Sequence, residues 1–303
     1  MRWWRPGTHN GTEASVAVVT MVRDEATWLP TWIRHYGSHV GLENLLVLDD
    51  QTSDGSTSDL HCEVRRIDPL PGGRRFEPAR MDVLTQAARD LLLTHDWVIL
   101  ADADEFVVPH PGRRRSLAQH LADRADDPIL GLLALNVLHD ARTEGALDFT
   151  RPLLEQRSFA QFAPLMCKPV VKQVDTAWGH SSHGIRGPFR IDPELYMLHL
   201  KFADRDLLAR NVEHRTALVA DDGRAAGSSW SRSDLVEILD RRMAGLDPDS
   251  LTVFDPDALA PDALSVQHDP DKNLWRSPRG HKQARALATQ PIVRIPGFLS
   301  GAV

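Results

Sequence analysis

An α/β fold with a mostly parallel sheet flanked by helices is predicted by this sequence on three observations. Short apolar runs recur as buried-strand candidates, helical periodicity separates them, and loops dense in acidic and turn-forming residues follow two of them. The first run, "VAVVTMV" at 16–22, has the length of a buried strand. Asp24 and Glu25 then precede Trp28, Leu29, Trp32, Ile33 and Tyr36, a spacing that lays one apolar face along a helix with acids in its first turn. Gly37 to Gly41 end that helix, and Leu45 to Leu48 make a second buried strand that runs into the turn-rich loop "DDQTSDGS". Within that loop Asp54-Gly55 reads as a turn. Proline and glycine exclude regular structure from 68 to 78, a helical pattern resumes from Arg80 to Leu93, and Trp97 to Leu100 is the next strand. Ligands bind beyond the carboxyl ends of strands in such sheets, so both acidic loops fall on the ligand edge.

Further along, 116–126 reads as a helix and Ile129 to Val137 as an apolar strand suited to antiparallel pairing. Val170-Val171 and Tyr196 to Leu198 are short strand candidates, Asp204 to His214 is helical, and Ser233 to Ala244 is a helix capped by Ser231 or Ser233. The Pro- and Asp-rich stretch from about 246 suggests a loosely ordered extension or a lid. The chain thus divides into a flexible arm at 1–14, a main domain at 15–215 and a helical or irregular C-terminal extension at 216–303.

Composition narrows the function classes. With 303 residues, 42% of them hydrophobic and 25% charged, the chain has an ordinary soluble make-up and room for a sizeable core. A formal charge of −7 disfavours a general nucleic-acid binder and leaves anionic small ligands open. No run approaches the roughly 20 apolar residues of a transmembrane segment, and the opening "MRWWRP" lacks the apolar stretch of a secretory signal, so a cytoplasmic protein is expected. Cys62 and Cys167 are expected as free thiols there.

The stretch "VILADADEFVV" at 98–108 sets three acids between apolar runs. Read as continuous strand, it points Asp102 and Asp104 to the same side and Glu105 to the other. Converging anions repel unless a cation lies between them, and an Asp-x-Asp is a reasonable half-site for Mg²⁺ or Mn²⁺.

This stretch resembles the metal-binding segment of family 2 glycosyltransferases, enzymes of the GT-A fold that use nucleotide-sugar donors, in the subgroup with an Asp-x-Asp-Glu-Phe motif. The resemblance continues in "VVTMVRDEATWLPTWIRHY", "LLVLDDQTSDGS", "MCKPVVKQV", "GHSSHG" and "YMLHLKFADRDLLARN", spanning about residues 16 to 215. It implies a GT-A type, Rossmann-like sheet and transfer of a sugar, with inversion, from a nucleotide-sugar donor. The acceptor is left open among a glycan, a lipid head group and a small molecule; no nucleic acid is implied.

By position, Asp50 matches the acid that accepts from the donor's base, with Thr20 and Arg23 at the end of the first strand. Asp102 and Asp104 match the metal ligands, and the metal, Mn²⁺ or Mg²⁺, bridges the donor diphosphate. His199 fits the late histidine that supplies a third ligand, with His183 as the alternative and His180 as a further competitor. Lys201, Lys168 and Arg80 are candidates for the donor phosphates. An inverting enzyme also needs a base for the acceptor hydroxyl, and the family's acidic pair is not evident; Asp140, Glu144 and Asp175, with Asp148 and Glu155, are the candidates. Trp178 is read as core rather than a sugar platform.

Two other readings compete: a nucleotide-sugar-binding protein without turnover, and a Mg²⁺-dependent haloacid-dehalogenase-like phosphatase. The second is disfavoured because such enzymes place the pair after the first strand, whereas here Asp102 and Asp104 come about a hundred residues in and a second acidic loop precedes them. No Gly-x-Ser-x-Gly, Walker-type loop, His-Glu-x-x-His or paired Cys-x-x-Cys supports a hydrolase, NTPase or zinc protease.

Overall fold

The computed structural model describes residues 13–113, 115–223 and 232–303. The arm expected at 1–14 lies outside these residues except for its last two positions, as does Ser231. Four strands, β1 (Val16–Val22), β2 (Leu45–Asp49), β3 (Glu63–Arg66) and β4 (Trp97–Leu100), form a parallel block in the spatial order β3-β2-β1-β4. β1, β2 and β4 are buried along their whole length, which is why their apolar runs announce them. β3, "EVRR", is exposed at every residue and carries no such signal.

Helix α1 (Leu29–Val40) buries Leu29, Trp32 and Tyr36 as the spacing predicts, and stops at Gly41, whose φ of 90° suits glycine. Helix α2 (Phe76–Leu91) begins at Phe76 rather than Arg80, because Pro78 falls in the first turn, where a missing N–H costs no helical bond.

The other half of the sheet is mixed. After β5 (Glu105–Pro109) comes α3 (Leu117–Ala122), opened by a Ser116/Gln119 capping box and ending short of 126. Strand β6 (Ile129–Leu138) pairs antiparallel with β7 (Phe159–Phe162) and β8 (Val171–Lys172), the antiparallel pairing expected for this run. β8 is also antiparallel to β4 and so joins the two halves. Strand β9 (Gly184–Ile185) belongs to a second, small sheet. β10 (Arg190–Phe202) far outruns the expected Tyr196–Leu198, since Asp192, Glu194, His199 and Lys201 interrupt its apolar pattern. It pairs antiparallel with β5 and parallel with β6, with a register shift around Pro193.

Helix α4 (Arg205–Asp222) is capped by the Asp204 carboxylate and continues past His214 to Gly223 at φ 68°. Helix α5 (Leu235–Ala244) starts later than expected, with Asp234 rather than Ser233 at its N-cap. The chain then adds β11 (Gln267–Asp269) and β12 (Leu274–Arg276), which complete the small antiparallel sheet with β9. Helix α6 (Gln283–Thr289) contributes Ala284 and Leu287 to an apolar cluster with Leu239 and Met243 of α5 and with Phe159 and Phe202. β13 (Val293–Arg294) finally pairs with β7 at the sheet's edge. No described helix is long and apolar enough to cross a membrane, and both cysteines are free thiols.

Candidate active site

A cavity of about 550 Å³ opens beyond the carboxyl ends of β1, β2 and β4, and its wall includes Arg23, Asp50, Arg80, Asp102, Asp104 and His199. The two loops after β1 and β2 are fastened together beside it. Asp24, at φ 50°, turns its Oδ1 to accept from Ser53 N at 2.6 Å, Ser53 Oγ at 3.2 Å and Asp54 N at 3.1 Å. The Glu25 N–H donates to Ser56 Oγ at 3.1 Å, and Asp49 Oδ1 accepts from Thr52 N at 2.6 Å. Gly55, at φ 80°, supplies the turn read at Asp54-Gly55.

The acidic motif is not the continuous strand that side-chain alternation assumed. Between β4 and β5 the chain turns through Asp102–Asp104, closed by Glu105 N–H to Asp102 O at 2.9 Å and tied to β10 by Leu200 N–H to Asp104 O at 2.8 Å. Glu105, expected on the opposite face, instead lies with the site: one ligand atom each from Asp104, Glu105 and His199 fall within 4.8 Å of one another. The Glu105 carboxylate is buried against Lys168 Nζ at 2.5 Å. Burial pushes it up to about 7 against the pull of that ammonium, with the Asp102 and Asp104 charges adding to the rise.

Asp102 and Arg80 form a short, direct ion pair, and Arg80 also reaches Glu77 at 3.2 Å. Desolvation alone would raise the Asp102 carboxyl; Arg80 and then Lys168 overcome it and hold Asp102 well below the usual carboxylate range. Arg80 is thereby committed to orienting the acid.

His199 is 2% exposed, and its Nδ1 lies 2.7 Å from Asn136 Oδ1. That oxygen can only accept, so the Nδ1 carries the proton and the Nε2 lone pair faces Asp104 Oδ2 at 3.7 Å. Burial pushes the imidazole down to about 4 although the Asp104 charge opposes it, so the ring is neutral near pH 7. Two carboxylates and a neutral imidazole with its second nitrogen fixed by an amide are a donor set that fits a divalent ion such as Mn²⁺ or Mg²⁺.

The remaining candidates separate clearly. Lys201, 5% exposed, lines the cavity with Nζ on Gln283 Oε1 at 2.7 Å. His183 also lines it, its Nδ1 on Leu165 O at 2.8 Å, but stands outside the close trio; burial, then Lys168, pushes it down to about 4. His180 is exposed and off the wall, and Thr20 is buried in β1 beneath the floor with Oγ1 lacking a hydrogen-bond partner among the described residues. The acids proposed as base lie elsewhere: Asp140 pairs with Arg142 at 2.8 Å, Glu144 accepts from Asp140 N at 3.0 Å and Asp175 pairs with Arg89 at 2.8 Å. Asp148 binds Thr150, and Glu155 borders a separate shallow hollow. Trp178 is core, its indole N–H donating to Pro169 O at 2.8 Å.

Sequence reading missed several wall residues, among them Asn136, Glu25 and Arg215. Asn136 is the sole polar residue of "ILGLLALNVL", a signal that was present. Glu25, read only as a helix-start acid, accepts from Trp28 N at 3.0 Å, and burial raises its pKa, with Asp104 adding to the effect. Arg215, from the second half of α4, had no local signal.

No protein-family model matches the chain, and neither does any curated protein sequence. Among solved structures it is similar to a mannosyltransferase from Pyrobaculum calidifontis in complex with GDP-Man and Mn²⁺, at 14% identity and TM-score 0.35, over 78% of this chain and 71% of that one. It is also similar to glucosyl-3-phosphoglycerate synthase from Mycobacterium tuberculosis in complex with Mn²⁺, UDP and glucosyl-3-phosphoglycerate, at 17% identity and TM-score 0.31, over 57% and 63% of the two chains. A cytidylyltransferase from Leptospira borgpetersenii is matched at 13% identity and TM-score 0.23. This chain spans 42% of that cytidylyltransferase and 50% of the synthase in its complex with UDP-glucose.

Proposed function

We propose that this chain is a GT-A type glycosyltransferase of the family 2 kind that moves a sugar, with inversion, from a nucleotide-sugar donor to a hydroxyl-bearing acceptor. The observation that carries the reading is the trio Asp104, Glu105 and His199, with His199 pinned by Asn136, at the carboxyl edge of a parallel β3-β2-β1-β4 block. Asp104 and His199 hold the divalent ion, with Glu105 beside them and Asp102 oriented by Arg80. Bound Mn²⁺ or Mg²⁺ supplies the positive charge that offsets the negative charge developing on the departing diphosphate. Asp50, 3% exposed on the wall beside the fastened loops, reads the base edge; a buried carboxylate rejects a base that offers it no donor. Arg23 and Lys201, both on the wall, are the cations offered to the phosphates. Asp140, Glu144 and Asp175 lie off the wall, and we do not assign the proton-accepting role to them.

With the base unassigned, the rival reading is a nucleotide-sugar-binding protein without turnover. The test is a thermal-shift series with UDP, GDP, CDP and TDP, with and without Mn²⁺, on the native chain and on Asp104→Asn. Metal-dependent stabilisation by one nucleotide, lost in the variant, is the expected result, and no shift with any nucleotide overturns the donor site. Metal-dependent hydrolysis of the matching sugar nucleotide then separates enzyme from binding protein.

A further inference from the structure

Charge is divided unevenly around the cavity. Among the described residues, every carboxylate on its wall precedes residue 106: Glu25, Asp50, Glu77, Asp102, Asp104 and Glu105. From Asn136 onward the described residues of the wall include no Asp or Glu, yet they include Lys168, Lys201, Arg215, Arg276 and Lys282. Lys168 is matched by Glu105. Lys201, although buried, has a neutral amide as its hydrogen-bond partner and no carboxylate within ion-pair distance among the described residues. Arg276 and Lys282 are exposed and likewise have no ion pair among the described residues. In a chain of net charge −7, a stretch of wall whose described residues include no acid and on which Lys201, Arg276 and Lys282 have no ion pair among the described residues is a place built for an anion.

Topology sets the Arg276 and Lys282 part of this wall apart from the donor side. Arg276 ends β12, whose partner β9 follows directly on His183, and Lys282 is the N-cap of α6, whose carbonyls at Leu287 and Gln290 accept from Gln161 of β7. The loops after β1 and β2 lie across the Asp102–Asp104 turn, since β4 stands between β1 and the β8-β6-β7 strands. Resting on the transferase reading above, we propose that the acceptor carries an anionic group, a phosphate or a carboxylate, received by Arg276 and Lys282. These two cations select the acceptor, while the donor diphosphate is held at the turn.

The test uses the full chain loaded with Mn²⁺ and the nucleoside diphosphate that stabilises it. Inorganic phosphate, glycerol 3-phosphate, glycerate and glycerol are titrated calorimetrically at constant ionic strength, first into the native chain and then into Arg276→Gln/Lys282→Gln. The anions bind and glycerol does not; the double variant weakens anion binding at least tenfold and leaves nucleotide affinity within about twofold. Comparison of the phosphate and carboxylate arms names the group. Absence of anion binding to the native chain overturns the proposal, and so does a variant that loses nucleotide affinity as much as anion affinity, which would give these cations to the donor. If no nucleotide binds, the transferase reading fails by itself, and the same titrations on the Mn²⁺-loaded chain still decide whether the anion site exists.

Discussion

Replacing Asn136 by leucine takes away the oxygen that accepts from His199 Nδ1 at 2.7 Å and keeps the volume of the side chain nearly constant. Both residues are 2% exposed, so no solvent enters to replace the lost bond. A buried donor left without a partner costs about 1–3 kcal/mol of folding stability. The larger consequence is at the other ring nitrogen. Without the amide, either tautomer is accessible and the ring is no longer held toward Asp104, and loss of such an outer partner typically lowers metal affinity about 10–100-fold. That range equals about 1.4–2.7 kcal/mol of binding free energy. Mn²⁺ affinity is measured by electron paramagnetic resonance of the free ion and stability by urea unfolding. Asn136→Asp, which keeps an acceptor at the same place, is expected to retain affinity within a few-fold. A folded Asn136→Leu chain that binds Mn²⁺ as the native chain does would refute the assignment of His199 as a ligand oriented by Asn136.

Two further outcomes follow from buried charge. Arg80→Met leaves Asp102 without its partner; because the Asp102 side chain keeps 34% of its surface open, the expected loss is about 2 kcal/mol in urea unfolding, below the roughly 3–5 kcal/mol of a fully buried pair. A loss beneath about 0.5 kcal/mol would show that Arg80 does not anchor the acid. His35, 7% exposed with Nε2 on Val107 O at 3.0 Å, is pushed down to about 3, first by burial and then by His39. An imidazole depressed in the folded state contributes no penalty above the unfolded value near 6.5 and destabilises the fold as pH falls below it. At pH 5.5 its share is about 1.4 kcal/mol, so His35→Gln should lose that much less stability than the native chain between pH 7.5 and 5.5; equal losses would rule the effect out.

The parts of the fold that were legible are those in which burial and period agree. β1, β2 and β4 are buried on both faces and read as unbroken apolar runs, and α1 shows its stripe because one side of it packs against the sheet. β3 was invisible because an exposed edge strand needs only backbone partners, and β10 was mostly hidden by the polar residues that it carries into buried pairs, such as Asp192 with His120 and Arg124. At the site, Asp50, Arg80, Asp102, Asp104, His199 and Lys201 do meet in one cavity. The orientation of the acids was misread because the turn at 102–104 contains neither glycine nor proline, so nothing in the letters interrupts the strand period. Glu25, Arg215 and Arg276 come to the wall through tertiary folding alone, and their residue types are equally at home on any surface.

The Asp24 carboxylate that gathers three donors from the neighbouring loop bears on how the pocket can evolve. Ordering a free loop costs about 1–2 kcal/mol per residue, and the three hydrogen bonds to Asp24 offset part of that cost for the loop after β2. A stiff rim of this kind leaves little room for accommodating a different base by movement. If Asp50 reads the base as proposed, a new donor preference would come through exchange of that side chain, with the backbone beneath left as it is.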